Sequence, residues 1–204
     1  MRLYDLIAPF AQTGKEIKDI TVNNIQFRSK SVQKGDLYVA IKGLKHDGHD
    51  FIEEAVQHGA VAVVGEDPDI SLSVPYFTVT DSREALGKMA AILYNHPSIK
   101  CITIGITGTN GKTTTSYMIR HLLESSKRSC SLFGTVTNYV NGHPLISSAT
   151  TPDAVELQRM LSMSRDENVV MEVSSHGLHQ KRVEGMEFNY AVFTNLSHDH
   201  LDYH

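Results

Sequence analysis

The sequence lacks the features that are typical of secreted, membrane-spanning or disulfide-rich proteins. Its 204 residues include no tryptophan and only two cysteines, Cys101 and Cys130, which are not in C-x-x-C spacing. No apolar run approaches the ~18 residues of a membrane-spanning helix. The first residues include Arg2, Asp5 and Pro9 and lack the apolar segment of a signal peptide. We therefore expect a reduced, cytoplasmic protein.

A strong charge of either sign is also missing. The formal net charge is −4, so the sequence gives no electrostatic argument for binding nucleic acid or a membrane surface. A hydrophobic fraction of 41% and a charged fraction of 21% are typical of a globular protein. The sequence stops at His204 within a histidine-rich run, with no closing helix. We expect a monomer that is an N-terminal fragment of a longer protein.

Apolar runs of strand length alternate with segments of helical periodicity. This alternation predicts an α/β fold with parallel sheets. A small N-terminal α/β domain is expected at residues 1–97. A second domain, part of a parallel sheet built around a phosphate-binding loop, is expected at residues 98–204. The predicted strands lie within 35–41, 60–64, 75–79, 102–107, 131–134, 169–173 and 190–194.

Several local signals predict helix ends and turns. Asp50, with Glu53 three residues later, is typical of a capping box. Thr151 followed by Pro152 is typical of an N-cap and the first helical position. The pair Asn141-Gly142 predicts a β-hairpin. Residues 114–124 carry apolar side chains at helical spacing, namely Met118, Ile119, Leu122 and Leu123.

The most informative stretch is a glycine-rich turn between a strand and a helix. Gly108 and Gly111 allow backbone N–H groups to turn inward around phosphate oxygens. Lys112 would reach the β- and γ-phosphates of a nucleotide, and the Thr113 hydroxyl would bind Mg²⁺. The strict pattern G-x-x-x-x-G-K-[ST] needs glycine at position 106, where the chain has Ile106. The flanking strand and helix still favour a phosphate-binding loop over a chance glycine turn.

Two further predicted strands end in polar residues. One ends in Glu172, Ser174, Ser175 and His176, and the other continues into residues 194–200. Ligands of open α/β sheets bind beyond the carboxyl ends of the strands, so we expect both segments near the phosphate-binding loop. A carboxylate inside an apolar strand is costly to bury unless it is paired or metal-bound, and Mg²⁺ is the expected partner of Glu172. A salt-bridged glutamate is the alternative.

The histidine-rich end of the chain is a second candidate metal site. Its spacing over residues 198–204 matches none of the short zinc motifs, so a solvated loop is favoured over a zinc centre. A role for His200 as a ligand to a divalent ion depends on a resemblance to a known family.

Three motifs resemble those of the Mur ligases, which are ATP-dependent amide-bond ligases of peptidoglycan precursor synthesis. Residues 107–114 are similar to the family's ATP-binding loop. Residues 171–178 and 194–204 resemble the MurE type, which adds the third amino acid to UDP-N-acetylmuramoyl-L-alanyl-D-glutamate. The family has three domains. The resemblance implies that this chain holds the first, which binds the UDP-substrate, and part of the second, which binds ATP.

The resemblance also implies roles for individual residues. Lys112, Glu172 and His200 would be catalytic, and Thr113, Glu172 and His200 would hold Mg²⁺. The ATP-binding residues would be Gly108, Thr109, Asn110, Gly111, Lys112, Thr113 and Thr114. The substrate-binding residues would be Phe27, Ser29, Leu44, Lys45, His46, Thr150, Thr151, Ser174, Gln180 and Arg182. At the uridine-binding turn the family's usual Asp-Ser-Arg is Arg28-Ser29-Lys30 in this chain.

Catalysis by acyl activation is the mechanism that the resemblance implies. The free carboxylate of the peptide attacks the γ-phosphate of ATP, and an amino acid amine then displaces phosphate from the acyl phosphate. Lys112 and Mg²⁺ would neutralise the charge that develops on the transferring phosphoryl group. The family's carbamylated lysine and its C-terminal domain, which selects the amino acid, would lie beyond His204. The chain alone is therefore expected not to turn over.

Three other functions stay open at this point. Another Mur-type ligase is one, although residues 174–182 favour the MurE type. A non-catalytic module that binds a nucleotide or a UDP-sugar is the second. A P-loop kinase or GTPase is the third, and the sequence shows no motif for reading guanine.

Overall fold

A computed structural model describes residues 1–10, 20–43, 45–199 and 203 of the chain. The chain divides into two compact units, Met1–Leu93 and Tyr94–His204. The domain boundary predicted from the sequence, between residues 97 and 98, lies a few residues after the observed division between Leu93 and Tyr94.

The first unit is built on a four-stranded sheet in which all strands are parallel. Its strands, in order across the sheet, are β1 (Ile25–Gln26), β2 (Leu37–Val39), β3 (Ala62–Gly65) and β4 (Tyr76–Thr78). Its helices are α1 (Leu3–Ile7), α2 (Ile52–Gln57) and α3 (Ser82–Leu93), with 3₁₀ turns at Ser29–Ser31 and Gly48–Phe51. Both β2 and β3 are buried along their whole length, as expected for a parallel sheet that is covered on both faces.

The α2 helix starts differently from the sequence prediction. Asp50 lies inside the preceding 3₁₀ turn, and the residue at the cap of α2 is Phe51, whose side chain makes no capping hydrogen bond. Asp47 caps the 3₁₀ turn instead, because its carboxylate accepts a hydrogen bond from the backbone N–H of His49 at 3.0 Å. The predicted capping box at Asp50 is wrong, since the 3₁₀ turn occupies the residues that would have formed it.

The second unit contains a six-stranded mixed sheet. Its strands are β5 (Ile102–Thr107), β6 (Cys130–Phe133), β7 (Asn138–Val140), β8 (His143–Leu145), β9 (Asn168–Glu172) and β10 (Tyr190–Phe193), in the order β10-β5-β9-β6-β7-β8. The first four strands of that order are parallel, and β7 and β8 continue the sheet as an antiparallel hairpin. This hairpin turns at Asn141 and Gly142, both with positive φ, as predicted.

The order of the strands brings three of their carboxyl ends together. β5 lies between β9 and β10, with Ile106 opposite Glu172 and Thr107 opposite Phe193. The loops that follow these strands therefore emerge side by side at one edge of the sheet.

The described part of the second unit also contains the α-helices α4 (Lys112–Ser125), α5 (Ala154–Met163) and α6 (Ser175–His179), and a 3₁₀ turn at Pro97–Lys100. α4 packs on β5, β6 and β9, where Ile119 and Leu123 contact a buried cluster. Met118 and Leu122, which the spacing also assigned to the apolar face, are exposed by 61% and 64%. The helix was therefore predicted correctly, but only two of the four predicted apolar side chains, Ile119 and Leu123, are partly buried.

The start of α5 also differs from its prediction. Asp153 is the N-cap, and its carboxylate accepts a hydrogen bond from the backbone N–H of Glu156 at 3.0 Å. The Thr151 hydroxyl donates to the backbone carbonyl of Glu172 at 3.0 Å instead. Thr151 as N-cap is thus wrong, because its hydroxyl is bound to the end of β9.

The predicted α/β class with parallel sheets is confirmed in both units. Among the described residues, no helix combines the length and the apolar character needed to cross a bilayer.

Replacing Gln158 with methionine is expected to stabilise the second unit. Gln158 lies on α5, is 1% exposed, and neither polar atom of its side chain has a hydrogen-bond partner within the described chain. Burying an unpaired amide costs ~1–3 kcal/mol, and methionine has a similar length without that cost. We expect Gln158→Met to raise the melting temperature by about 2–12 °C, measured by circular dichroism.

The control for this substitution is Gln57→Met at an exposed position. It should leave the melting temperature unchanged. A lower melting temperature for Gln158→Met would show that the amide makes a bond that the described contacts lack.

Candidate functional site

The loop between β5 and α4 has the backbone conformation of an anion-binding turn. Gly108 has φ of +131° and Gly111 has φ of +86°, in the region that favours glycine. Gly111 is also the N-cap of α4, and no side chain caps this helix. The first N–H groups of a 14-residue helix are therefore available to phosphate oxygens.

Residues that follow β10 hold this loop in place. Thr194 Oγ1 and Asn195 Nδ2 donate to the carbonyl of Asn110 at 2.7 and 3.0 Å, and the Asn110 N–H donates to Asn195 Oδ1 at 3.0 Å. Thr109 and Ser197 form a reciprocal pair, in which the Thr109 hydroxyl donates to the Ser197 carbonyl and accepts from its N–H. The loop is therefore fixed by contacts that lie outside its own sequence.

The approach of these residues is so close that position 108 must be glycine. A Cβ at Gly108 would lie 2.2 Å from Thr194 Oγ1 and 2.8 Å from the carbonyl oxygen of Asn195. At Gly111, by contrast, a Cβ would have no atom within 4 Å. The strict motif fails at position 106 because Ile106 is a buried residue of β5, which continues to Thr107.

Lys112 lies over the loop. Its ammonium donates to the carbonyls of Gly108 at 2.7 Å and Thr109 at 3.0 Å. A pocket of about 280 Å³ opens beside it, and its walls come from the phosphate-binding loop and from the segments after β9 and β10. The lining residues are Thr107, Gly108, Thr109, Lys112, Ser174, Ser175, Leu178, Phe193, Leu196, Ser197 and Asp199.

Glu172 is the last residue of β9 and is fully buried. Its Oε2 accepts hydrogen bonds from the hydroxyls of Thr113 at 2.9 Å and Thr135 at 3.0 Å, and its Oε1 accepts from the Thr135 N–H at 3.1 Å. Glu172 makes no ion pair with the described residues. The salt-bridge alternative therefore finds no support in the described chain.

The residues present fit a bound Mg²⁺. The buried Glu172 carboxylate and the hydroxyl of Thr113, in the first turn of α4, lie 2.9 Å apart and supply the oxygen ligands that this ion prefers. His200, the third expected ligand, lies outside the described residues. Within the described residues, no group of three or more His, Cys, Asp or Glu side chains is arranged to hold a metal ion, so a zinc site finds no support there.

A hydrogen-bonded group of candidate substrate residues lies next to Glu172. Thr151 Oγ1 lies 3.1 Å from Ser174 Oγ and accepts from the Ser174 N–H at 2.9 Å. Arg182 donates to the Thr151 carbonyl at 2.6 Å and to Gln180 Oε1 at 2.8 Å. Because these four residues share one network, a ligand carboxylate or diphosphate at Arg182 would also lie close to Thr151.

The candidate uridine residues lie in the first unit. Ser29 is buried in a 3₁₀ turn, where its hydroxyl donates to the Glu54 carboxylate. Phe27 is half-buried under the guanidinium of Arg28, 5.1 Å from the ring centroid. Since the Ser29 hydroxyl is already bonded within the chain, any ligand contact at this turn falls mainly to Phe27 and to the backbone.

The second candidate uridine loop precedes the 3₁₀ turn at Gly48–Phe51. Lys45 and His46 are exposed, and Leu44 lies outside the described residues. The hydroxyl of Tyr38 donates to the Gly48 carbonyl at 2.9 Å and anchors the end of this loop. Burial raises the pKa of Tyr38 to about 12, so the hydroxyl keeps its proton at neutral pH.

Two site residues were missed by the sequence analysis. Thr135 contacts Glu172 from the loop after β6, and Asn195 fixes the phosphate-binding loop from the end of β10. The polar end of β10 was a sequence signal for Asn195, but nothing in the sequence around Thr135 distinguishes it from a loop threonine.

Two family models match the chain. The model of the Mur ligase family catalytic domain matches residues 21–94, and the model of the Mur ligase middle domain matches residues 106–204. The chain belongs to the Mur ligase family. The second match covers the phosphate-binding loop, Glu172 and the Thr151–Arg182 network of this Mur ligase chain.

Relatives of known name extend this assignment. A UDP-N-acetylmuramoyl-L-alanyl-D-glutamate–2,6-diaminopimelate ligase from Caldanaerobacter subterraneus subsp. tengcongensis is 42% identical over 209 aligned residues, which cover 100% of this chain and 43% of the relative. A solved structure of a ligase of the same name superposes with a TM-score of 0.84 at 28% identity and covers 100% of this chain and 42% of that one. This Mur ligase chain thus spans about two fifths of the length of the relatives it matches.

A solved structure of a second Mur ligase carries a nucleotide. The MurF ligase from Thermotoga maritima, in complex with ADP, is 27% identical with a TM-score of 0.61 and covers 91% of this chain and 40% of that one.

Proposed function

We propose that this chain is the UDP-substrate-binding and ATP-binding part of a MurE-type ligase. Such a ligase adds the third amino acid to UDP-N-acetylmuramoyl-L-alanyl-D-glutamate. The observation that carries the proposal is the buried Glu172 carboxylate, which lies 2.9 Å from Thr113 of the phosphate-binding loop in a Mur ligase chain. The names of its relatives support both the acceptor and 2,6-diaminopimelate as the amine.

In this proposal the first unit binds one part of the acceptor, and the second unit binds ATP and the peptide end of the acceptor. The N-terminal domain, residues 1–97, binds the UDP part of the acceptor at the turn around Phe27 and Ser29 and at the loop Leu44–His46. The central domain, residues 98–204, binds ATP at residues 108–114. The peptide end of the acceptor binds at Thr150, Thr151, Ser174, Gln180 and Arg182. The last four of these residues form one hydrogen-bonded network, which is bonded to Glu172 through Thr151. Thr150 is bonded to Thr135, the neighbour of Glu172.

The side chains of the central domain have distinct tasks in acyl activation. The loop amides and the start of α4 bind the phosphates, and Lys112 adds a positive charge next to the γ-phosphate. Thr113 and Glu172, with His200, would hold Mg²⁺, and the ion would neutralise charge on the phosphates. Arg182 orients the peptide carboxylate, which attacks the γ-phosphorus as ADP leaves. The amine then attacks the acyl carbon and inorganic phosphate leaves.

Nucleotide and acceptor binding by the 204-residue chain test the proposal. We expect ADP with Mg²⁺ and UDP-N-acetylmuramoyl-L-alanyl-D-glutamate each to give a binding isotherm in titration calorimetry. Lys112→Ala should weaken ADP binding by ~10–100-fold, because a charge-assisted hydrogen bond contributes ~1.5–3 kcal/mol. The same variant should leave acceptor binding unchanged. Absence of nucleotide binding by the parent chain would refute the proposal.

A non-catalytic nucleotide- or UDP-sugar-binding module is the second candidate, and binding alone does not separate the two. Acceptor-dependent release of phosphate from ATP by the gene product from its source cell would decide for the ligase. The proposal further expects a cytoplasmic monomer without nucleic-acid or membrane partners. Cys101 and Cys130 are both free thiols, which agrees with a reducing compartment.

A further inference from the structure

Thr135 lies beside Glu172 because of the register between β6 and β9. Phe133 is opposite Met171, so the residues that follow, Gly134 and Glu172, are neighbours. A Cβ at Gly134 would lie 2.3 Å from Glu172 Oε1. Glycine at this position therefore leaves the space through which the carboxylate reaches Thr135.

Thr135 makes two of the three hydrogen bonds that the Glu172 carboxylate accepts from described residues. Its N–H donates to Oε1 at 3.1 Å, and its hydroxyl donates to Oε2 at 3.0 Å. The third bond comes from Thr113 of the phosphate-binding loop. The direction of the Glu172 side chain is thus set largely by a residue outside the phosphate-binding loop.

The same hydroxyl also contacts a candidate substrate residue. Thr135 Oγ1 lies 3.0 Å from Thr150 Oγ1 as well as 3.0 Å from Glu172 Oε2. A threonine hydroxyl carries one hydrogen, so it donates to one of these oxygens at a time. When it donates to Glu172, Thr150 uses its own hydrogen to bond Thr135. When it donates to Thr150, the Thr150 hydrogen is left for a ligand.

We propose that Thr135 is a positioning residue that couples cation binding at Glu172 to acceptor binding at Thr150. Positive charge at Oε2 turns the Thr135 hydrogen away from the carboxylate and towards Thr150. The Thr150 hydroxyl then donates to the acceptor. The inference rests on the proposed function, because it takes Glu172 as a cation ligand and Thr150 as a substrate contact.

The test is the effect of Mg²⁺ on acceptor affinity. Binding of UDP-N-acetylmuramoyl-L-alanyl-D-glutamate to the ADP-containing chain is measured by calorimetry in Mg²⁺ and in EDTA. We expect Mg²⁺ to tighten acceptor binding by ~5–10-fold in the parent chain, the lower part of the range for coupled sites. Thr135→Val keeps the shape and the N–H but removes the hydroxyl, so the factor should fall to about 1. Thr135→Ser keeps the hydroxyl and should restore the factor.

Two further variants control the experiment. Thr137→Val removes a nearby hydroxyl that, among the described residues, donates only to the carbonyl of Val136, and it should keep the parent factor. Thr150→Val should weaken acceptor binding and should remove the effect of Mg²⁺ on acceptor affinity. Its affinity for Mg²⁺–ADP should stay at the parent value. Thr135→Ala replaces Thr135→Val if the valine variant does not fold.

The outcomes separate this inference from the proposed function. A parent chain that fails to bind Mg²⁺–ADP, or that fails to bind the acceptor, refutes the proposed function, and the inference falls with it. If the parent chain binds both ligands, the proposed function stands. The coupling role of Thr135 is then overturned by a parent factor of about 1, or by a hydroxyl-free variant that keeps the parent factor.

Discussion

Replacing Glu172 with glutamine is expected to remove the effect of Mg²⁺ on nucleotide binding without unfolding the protein. Loss of a metal-binding carboxylate typically costs affinity of the order of 100-fold, and glutamine cannot supply the negative charge that the ion needs. Glutamine keeps the length of the side chain. Its amide oxygen still accepts the Thr135 N–H, and its NH₂ group donates to hydroxyl oxygens of Thr113 and Thr135.

The melting temperature of this variant should not fall, although the effect of Mg²⁺ on nucleotide binding is lost. Glu172 is fully buried and has no cationic partner among the described residues, so its carboxylate carries a desolvation cost that an amide does not. In EDTA, the melting temperature of Glu172→Gln should therefore equal or exceed that of the parent chain. Calorimetric titration of ADP in Mg²⁺ and in EDTA, with a thermal melt, measures both effects.

Glu167→Gln is the matched control, because it makes the same change at an exposed glutamate just before β9. It should leave both the Mg²⁺ effect and the melting temperature unchanged. If Glu172→Gln kept the full Mg²⁺ effect, Glu172 would not be a cation ligand.

Alanine at position 108 is expected to destabilise the chain more than alanine at position 111. Both glycines have positive φ, which costs another residue ~1–2 kcal/mol. Of the two, only position 108 lacks space for a side chain, since a Cβ there would lie 2.2 Å from Thr194 Oγ1 and 2.8 Å from the Asn195 carbonyl oxygen. Overpacking adds ~1–3 kcal/mol, so we expect Gly108→Ala to lower the melting temperature by about 4–20 °C.

Gly111→Ala serves as the paired control because it has the same backbone cost without the contact. Its melting temperature should fall by about 2–8 °C. Gly108→Ala should also weaken ADP binding in Mg²⁺, since the loop must move away from its contacts with Thr194 and Asn195. Equal destabilisation by the two substitutions would mean that these contacts do not constrain the loop.

Seven strands and the hairpin could be predicted from the sequence, whereas the short strand β1 and the helix caps could not. Strands of a parallel sheet are continuous apolar runs, and Asn141-Gly142 is a local turn signal, so both are readable from neighbouring residues. The caps at Asp50 and Thr151 were wrong because Asp50 lies inside a 3₁₀ turn and the Thr151 hydroxyl is bonded elsewhere in the chain. Thr151, for example, bonds the end of β9, which lies 21 residues away along the chain.

Much of the candidate site could also be predicted, because its main residues are recognised from their immediate sequence neighbours. The phosphate-binding loop is a local pattern, and Glu172 stands out as a carboxylate in an apolar strand. Thr135 and Asn195 were missed because their roles depend on which strands are neighbours. The contact of Thr135 with Glu172 spans 37 residues, and that of Asn195 with Asn110 spans 85.

The position of β10 beside β5 has a consequence for how the protein is made. Thr109 and Asn110 bond residues that follow them by 84–88 positions. At a synthesis rate of ~5–20 residues per second, the ribosome needs roughly 4–18 seconds to add them. During that interval the phosphate-binding loop has been synthesised without the side chains that hold it. The nucleotide site is therefore completed only after the end of β10 has left the ribosome.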